Sequence, residues 1–145
     1  MQDIKLTTDA LVFSKSGGQL QLLLIKRKNM PDQGMWAFPG GFVENDEELE
    51  AAAIRELHEE TGLQLSAMKQ VHTFGKVGRD SRFRTVSVVY YAFTDANEHK
   101  VAGNDDAADA RWINVSEITE LAFDHKQILE FVLQELNLIS GEITS

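Results

Sequence analysis

Residues 41–63 read GFVENDEELEAAAIRELHEETGL, and this stretch decides the fold. From about Asp46 to Thr61 it consists of good helix formers with a partial apolar stripe, which predicts an amphipathic helix. Gly62 follows at the position where a left-handed residue often ends a helix. We therefore expect the molecule to be organised around this helix.

Three glutamates share one face of that predicted helix. Glu56, Glu59 and Glu60 stand at i, i+3 and i+4, a spacing that brings side chains within reach of each other. An isolated pattern of this kind usually decorates a solvated helix face. Carboxylates gathered in this way also suit a hard cation such as Mg²⁺ or Mn²⁺. The residues around the glutamates decide between these two interpretations.

The surrounding residues fall at fixed spacings. Gly41 is followed after five residues by Glu47, and after seven more by Arg55-Glu56-Leu57; His58, Glu59-Glu60, Thr61 and Gly62-Leu63 complete the stretch. This resembles the Nudix box, G-x5-E-x7-R-E-U-x-E-E-x-G-U with U apolar, at every specified position. So many identities at fixed spacing favour the functional interpretation over a solvated face.

The resemblance implies a fold and a metal site. It predicts an α/β protein, a Nudix-type α/β/α sandwich with a mixed β-sheet, with residues 1–145 forming a single Nudix domain. It makes Glu56, Glu59 and Glu60 metal ligands, joined by the carbonyl of Gly40, with Mg²⁺ as the cofactor and Mn²⁺ as the alternative. Glu47 and Arg55 would form a supporting pair that orients the catalytic glutamates through charge-assisted hydrogen bonds.

The implied reaction is attack of water on a phosphorus of a diphosphate linked to another group. A carboxylate would act as the base, either from the box or from the polar stretch Asp95 to Asp109, which we expect to be an exposed loop. Asp105, Asp106 and Asp109 are candidates in that loop. A merely solvated loop is an equal alternative for them.

The substrate must be inferred from residues outside the box. The segment from Gly78 to Tyr90, and Leu121-Ala122-Phe123-Asp124-His125, look like segments of ADP-ribose pyrophosphatases, which predicts ADP-ribose as substrate, with AMP and ribose 5-phosphate as products. The predicted substrate-binding residues are Arg27, Gly41, Arg79, Arg82 and Arg84. For each arginine of the segment, a charged hairpin tip is the plain alternative.

Two other functions stay open from the sequence. The same segments resemble the effector domain of Nudix-related transcriptional regulators of NAD metabolism, which would sense ADP-ribose without turnover; a winged-helix DNA-binding part is not recognisable in this sequence. Hydrolysis of oxidised nucleoside triphosphates is a third alternative. The complete box favours catalysis, because a sensor needs no full set of metal carboxylates.

Composition limits the partners. The 14 basic and 23 acidic residues give a net charge of −9, which argues against nonspecific binding to nucleic acid or to a membrane surface. No cysteine is present, which excludes disulfides, thiolate zinc sites and cysteine nucleophiles. Neither a signal peptide nor a membrane span is recognisable, so we predict a cytoplasmic protein. The expected partner is a small nucleotide, and a homodimer stays open.

Further elements follow from apolar patterns. Ala10 to Phe13 and Leu20 to Ile25 predict a hairpin, and Gln70 to Val77 with Thr85 to Thr94 predict a second. A short strand is expected at Arg111 to Val115. A last helix should begin near Asp124, whose side chain would cap it while Gln127 reaches back. Trp36, Phe38, Phe74 and Tyr90 are read as core rather than as base-stacking residues; His125 and His58 are read as a helix-start and a surface residue.

Overall fold

A computed structural model describes residues 3–103 and 107–138. The described strands form one seven-stranded sheet with the core order β3-β2-β1-β6-β5, in which β4 also pairs with β1 and β7 with β2. The parallel pairing of β1 with β6 combines with antiparallel pairs elsewhere, so the sheet is mixed. The strands are β1 (Lys5–Ser16), β2 (Gln19–Arg27), β3 (Trp36–Ala37), β4 (Gly40–Phe42), β5 (Lys69–Phe74), β6 (Thr85–Phe93) and β7 (Ala107–Asn114).

Two helices pack on opposite faces of this sheet. Helix α1 spans Leu49–Thr61 and α2 spans His125–Glu135, and 3-10 turns occupy Ala96–Glu98 and Val115–Glu117. Because side chains alternate along a strand, β1 contributes to both layers. Its even-numbered residues join the cluster under α1, and its odd-numbered residues join the cluster under α2. The predicted α/β/α sandwich with a mixed sheet is confirmed.

The first hairpin forms as predicted, with longer strands than the apolar runs alone indicate. Residues 22 to 24 of β2 are fully buried, as expected for a strand covered on both faces. The second hairpin also forms; β5 ends three residues before the predicted Val77 and β6 one residue before the predicted Thr94. Phe38 and Tyr90 are buried in the core, and Trp36 and Phe74 pack against it.

Helix α1 ends as predicted and begins later. Gly62 has a φ of 81°, and its N–H donates to the carbonyl of His58. The predicted start near Asp46 is wrong, because residues 44–47 form a turn in which the N–H of Glu44 donates to the Glu47 carboxylate. The same carboxylate binds Arg55, and this contact holds Glu47 outside the helix.

The prediction that Asp95 to Asp109 is all loop is wrong at its end. Strand β7 begins at Ala107 rather than at Arg111, and it pairs with β2 from Arg27↔Ala107 to Gln21↔Asn114. The exposed hydrogen-bonding groups along this side of β2 need partners, and they order a polar segment that has little strand propensity of its own. Asp109 therefore lies in a strand.

Helix α2 begins where the sequence predicts, and Ile128, Leu129, Val132 and Leu133 form its buried side, with Leu136 partly buried. The predicted capping by the Asp124 side chain is wrong: it makes no cap hydrogen bond, because Arg79 binds both of its oxygens. Within the described ranges, no helix has the length and apolar character needed to cross a bilayer.

The packing of α2 can be tested with two adjacent residues. Ile128 is fully buried and Gln127 is exposed. Truncating Ile128 to Ala should lower the free energy of unfolding by about 2–5 kcal/mol, because it leaves a cavity against the sheet. Gln127→Ala should change it by less than about 0.5 kcal/mol. Urea unfolding of both variants makes the comparison, and equal values would contradict the packing.

Candidate functional site

A cleft of the described structure lies where β4, the end of β2, the loop between β5 and β6, and the head of α2 meet. Its volume is about 320 Å³. Carboxylates and guanidinium groups share its lining with four ring-bearing side chains. Its lining includes Asp9, Arg27, Gly40, Gly41, Glu56, Glu60, Arg79, Asp80, Arg82, Phe123 and His125. Most of the residues predicted to bind metal or substrate thus meet in one place.

Two glycines allow β4 to lie between β1 and α1. A Cβ atom on Gly40 would stand 2.3 Å from the carbonyl oxygen of Thr8 and 2.5 Å from Oδ1 of Asp9. A Cβ atom on Gly41 would stand 2.7 Å from the carboxyl carbon of Glu56. Real Cβ contacts are essentially never this short, so glycine is required at position 40, where the neighbour is backbone, whereas a side chain at position 41 would displace the Glu56 carboxylate. The predicted substrate-binding residue Gly41 therefore touches the carboxylate that is predicted to bind metal.

Glu60 and Glu56 reach the cleft from successive turns of α1. The N–H of Gly40 donates to Oε1 of Glu60 over 2.8 Å, which fixes one of its oxygens. In β4, the carbonyl of Gly40 points to the same side of the strand as this N–H, away from β1. Burial raises the pKa of Glu56 above its ordinary value, against the opposing effect of Arg55.

Arg55 binds the acidic residues around it through a branched network. Its Nη2 donates to Oε1 of Glu47 over 2.9 Å, and its Nη1 donates to Oε1 of Glu56 over 2.9 Å and to Oε2 of Glu59 over 3.3 Å. Hydrogen bonding from Arg55 lowers the pKa of Glu47. The structure thus brings together the residues predicted to form the supporting pair, and one guanidinium orients three carboxylates.

Glu59 lies apart from the other two glutamates of the box. Its side chain is 42% exposed, against 15% for Glu56, and it is not among the described residues that line the cleft. In the described ranges, no three acidic or histidine side chains are placed to hold one metal ion. Glu56, Glu60 and the carbonyl of Gly40 nevertheless offer hard oxygen donors, which suit Mg²⁺ or Mn²⁺. The donor set fits such an ion, and Glu59 would have to rotate to join it.

The predicted arginines differ in their surroundings. Arg79 is 6% exposed and donates to both oxygens of Asp124, at 2.8 and 2.9 Å. Arg82 likewise donates to both oxygens of Asp80. Burial alone would raise the pKa of Asp80, but the hydrogen bonds from Arg82 outweigh it and the pKa is lowered. Arg79 and Arg82 line the cleft, whereas Arg84 is not among the described lining residues.

Arg27 and Arg82 both contact the ring of Phe123. The guanidinium carbons lie 4.6 and 5.5 Å from the ring centroid, within the range of cation–π attraction. Phe123 has a φ of 54°, and its N–H donates to the carboxylate of Asp32, which has a φ of 58°. The aromatic pattern of the sequence gives no signal for Phe123, because its position depends on this contact across 91 residues.

Of the three predicted loop carboxylates, Asp109 is the one that lies within the described residues. Asp109 accepts from Arg111 at 2.8 Å and from the N–H of Ala110, and it is absent from the described lining. Asp105 and Asp106 lie outside the described residues. Of the described residues that were predicted as bases, those at the cleft are Glu56 and Glu60 of α1.

Asp9 and His125 form a buried pair in the lining of the cleft, and the sequence patterns predicted a role at the site for neither. Asp9 accepts a hydrogen bond from Ser87 at 2.5 Å, and its Oδ1 lies 3.7 Å from Nε2 of His125. Burial raises the pKa of Asp9 to about 6 and lowers that of His125 to about 3. His125 is therefore neutral at physiological pH. Asp9 is an acidic residue within the otherwise apolar part of β1, and this isolated charge is the one sequence feature that could have indicated its role. His125 starts α2 as predicted, but its side chain is buried.

Comparison with known proteins agrees with this architecture. The NUDIX domain model matches residues 4–132, which is most of the chain. The chain therefore belongs to the NUDIX domain family. The match includes both helix regions and all the cleft residues named above, so the family and the geometry describe the same site.

The relatives differ in what they do. The chain is 37% identical to the ADPR responsive transcriptional repressor NtrR of Acinetobacter baylyi, covering 91% of this chain and 54% of the relative. It is 39% identical to an ADP-ribose pyrophosphatase of Methanocaldococcus jannaschii, covering 76% and 64%. It thus spans less than two thirds of these relatives.

A solved structure covers the domain more fully. The NUDIX domain of Shewanella oneidensis NrtR, in a cocrystal structure with ADP ribose, superimposes with a TM-score of 0.86 at 33% identity. The superposition covers 94% of this chain and 90% of that domain.

The Asp9–His125 pair predicts opposing effects of pH on stability. Because the folded pKa of Asp9 is raised from 3.8 to about 6, its stabilising effect is complete below pH 3.8 and lost as the pH rises through 6. Because the folded pKa of His125 is lowered from 6.5 to about 3, its effect is present above pH 6.5 and lost as the pH falls towards 3. Between about pH 4 and 6 the two residues therefore change the free energy of unfolding in opposite directions as the pH rises.

Replacing Asp9 by Asn should remove the contribution of Asp9 to the pH dependence of the free energy of unfolding. The free energy of unfolding of wild type minus that of the variant should then increase as the pH falls from 6 to 4, by up to about 1.4 kcal/mol per pH unit. Urea unfolding at several pH values, with metal and nucleotide absent, measures this difference. A difference that is constant over this range would contradict the raised pKa of Asp9.

Proposed function

We propose that this Nudix domain catalyses the Mg²⁺-dependent hydrolysis of a nucleoside diphosphate linked to another moiety, with ADP-ribose as substrate and AMP and ribose 5-phosphate as products. The observation that carries the proposal is the shared cleft: the carboxylates of Glu56 and Glu60 face the same space as Arg27, Arg79 and Arg82. A diphosphate needs both kinds of group, because its metal ion requires anionic oxygens and its own oxygens require cationic donors.

The residues of α1 would hold the metal and the water. Glu56, Glu59, Glu60 and the carbonyl of Gly40 are the proposed ligands. A bound Mg²⁺ supplies charge neutralisation at the phosphate oxygens and a lower pKa for a bound water. Arg55 keeps Glu56 oriented through its hydrogen bond, and Glu47 fixes Arg55 in turn. The raised pKa of Glu56 makes it a stronger base than an exposed glutamate, so we place the general base in this set.

The arginines would bind the two phosphates by exchanging partners. Arg79 donates to the carboxylate of Asp124, and Arg82 donates to that of Asp80, which also lines the cleft. A phosphate oxygen can replace a carboxylate oxygen in such a charge-assisted pair at small net cost. ADP-ribose is favoured among the diphosphates because of the pyrophosphatase relative and of the ADP-ribose bound to the NrtR domain.

The direct test incubates purified protein with ADP-ribose and Mg²⁺ and follows AMP by chromatography. Reaction in ¹⁸O-labelled water shows which phosphorus is attacked, because only that product gains the label. ADP-sugars, dinucleotides and oxidised nucleoside triphosphates, each assayed with Mg²⁺ and with Mn²⁺, define the specificity. Absence of AMP above an uncatalysed control would refute the proposal for ADP-ribose.

Two variants connect the activity to the site. Glu60→Gln keeps the size of the side chain but removes a proposed metal ligand. Loss of a supporting partner typically lowers activity by about 10–100-fold, so loss of a ligand should lower it further. Arg55→Lys keeps the charge but loses the two-pronged contact with Glu47, and a fall of about 10–100-fold is expected. Steady-state rates, with melting curves as a folding control, check both. A Glu60→Gln variant with wild-type activity would contradict the assignment.

A ligand sensor is the second candidate function. The relative named as a repressor favours it, as does the NrtR domain with ADP ribose. A sensor would bind ADP-ribose by calorimetry and release no AMP over the same concentrations. In that case the arginine side of the cleft would retain its role, and substitution of Glu60 would leave ADP-ribose affinity unchanged when metal is absent.

A further inference from the structure

His125 makes a buried contact with the segment before β4. Its Nδ1 accepts a hydrogen bond from the backbone N–H of Phe38 at 3.1 Å. Since a backbone N–H can only donate, Nδ1 carries the lone pair and the neutral ring has its hydrogen on Nε2. The ring also stacks on that of Phe38, with centroids 4.3 Å apart and planes inclined by 13°. The two residues are 87 positions apart in the sequence.

The other side of the ring faces a fixed carboxyl group. Nε2 of His125 lies 3.7 Å from Oδ1 of Asp9, and Ser87 donates to Oδ2 of the same residue. Asp9 and Ser87 are buried on the paired strands β1 and β6. The imidazole is therefore held between the sheet and the segment that leads into β4, and its orientation is determined from both sides.

The segment that His125 holds is the one that reaches the carboxylates. Two residues after Phe38, the N–H of Gly40 donates to Glu60. Between them, the carbonyl of Pro39 accepts from the N–H of Ala10 on β1. Gly40 itself lies so close to Thr8 and Asp9 that the segment cannot move inwards. A movement of Phe38 would consequently change where Gly40 points.

Three contacts therefore fix residues 38–40, the last of which carries a predicted carbonyl ligand. Phe38 is held by the side chain of α2, Pro39 by β1 and Gly40 by α1. The contact to Phe38 is made by the side chain of His125, which belongs neither to the Nudix box nor to the adjacent strand β1. It can therefore be substituted without changing either of them. Without His125, the buried N–H of Phe38 would lack its acceptor, and the segment would shift to find another.

From this geometry we propose that His125 is a positioning residue for the metal site. By accepting the Phe38 amide hydrogen, it keeps residues 38–40 in the arrangement that presents the Gly40 carbonyl beside the Glu60 carboxylate. His125 acts through the backbone and does not touch the ion. The inference rests on the proposed metal-dependent function and adds a residue from the other side of the sheet to it.

Two substitutions separate the ring from the acceptor. His125→Phe keeps a flat ring against Phe38 and removes Nδ1. His125→Asn removes the ring, but its amide oxygen can occupy the position of Nδ1. Mn²⁺ affinity, measured by the loss of the free-ion electron paramagnetic resonance signal, is the readout; the backbone amide resonances of Phe38 and Gly40 report the local structure.

We expect His125→Phe to weaken Mn²⁺ binding about tenfold or more, the loss typical of a missing outer partner. The amide signals of Phe38 and Gly40 should shift in the same variant. His125→Asn should restore most of the affinity. Wild-type Mn²⁺ affinity in His125→Phe, or equal losses in both variants, would overturn the proposal, because either result makes the acceptor irrelevant.

Two controls keep the outcomes distinct. Failure of the wild-type protein to bind Mn²⁺, with or without ADP-ribose, contradicts the proposed function; normal wild-type binding with an unaffected His125→Phe contradicts only the positioning role.

If His125→Phe does not fold, His125→Gln replaces it. Both Gln and Asn lack the ring, but the longer Gln places its amide towards Asp9 instead of the Phe38 N–H. Equal Mn²⁺ affinity for these two variants would then refute the proposal.

Discussion

The candidate site depends on how closely β4 approaches its neighbours. This short strand lies between β1 and the carboxylates of α1, and a side chain at residue 40 or 41 would overlap the Thr8 carbonyl or the Glu56 carboxyl group. The approach brings a backbone N–H into contact with Glu60 and turns a carbonyl to the same side. Backbone groups thus become part of the candidate ligand set. The sandwich supplies rigid supports on both sides of this strand, and each loop at the cleft is held against them.

Charge is the second constraint on the site. Glu47, Glu56 and Glu59 all contact Arg55, and Glu60 lies one turn beyond Glu56 on the same helix. One guanidinium cannot neutralise all of them, and burial of Glu56 makes its negative charge more costly, as its raised pKa indicates. A divalent cation would relieve this repulsion. Glu59 is directed towards Arg55, and its exposure leaves the side chain room to turn.

The sequence predicted the parts of the structure that local patterns encode. Helix α1, its end at Gly62 and the pairing of Arg55 with Glu47 all follow from residues within one 23-residue stretch. The start of β7 did not, because the hydrogen-bonding edge of β2 imposes it on a polar segment. The roles of Asp9 and His125 were also missed. Their contact requires the register between β1 and β6 and the docking of α2, and no local pattern contains either.

The arginines show how the same long-range contacts shape recognition. Local spacing placed Arg79, Arg82 and Arg84 together, but the fold gives Arg79 to Asp124 and Arg82 to Asp80, while Nη1 of Arg84 is buried without a hydrogen-bond partner. A diphosphate entering the cleft must therefore compete with carboxylates for its donors. This competition preserves the arrangement of the cationic side chains before the ligand arrives, so little ordering remains to oppose binding. Under the proposed function, binding of a diphosphate to Arg79 would also change the charge around Asp124 at the head of α2. Both proposed functions, catalysis and ligand sensing, would in consequence use the same arginines, and the carboxylates of α1 would distinguish the two.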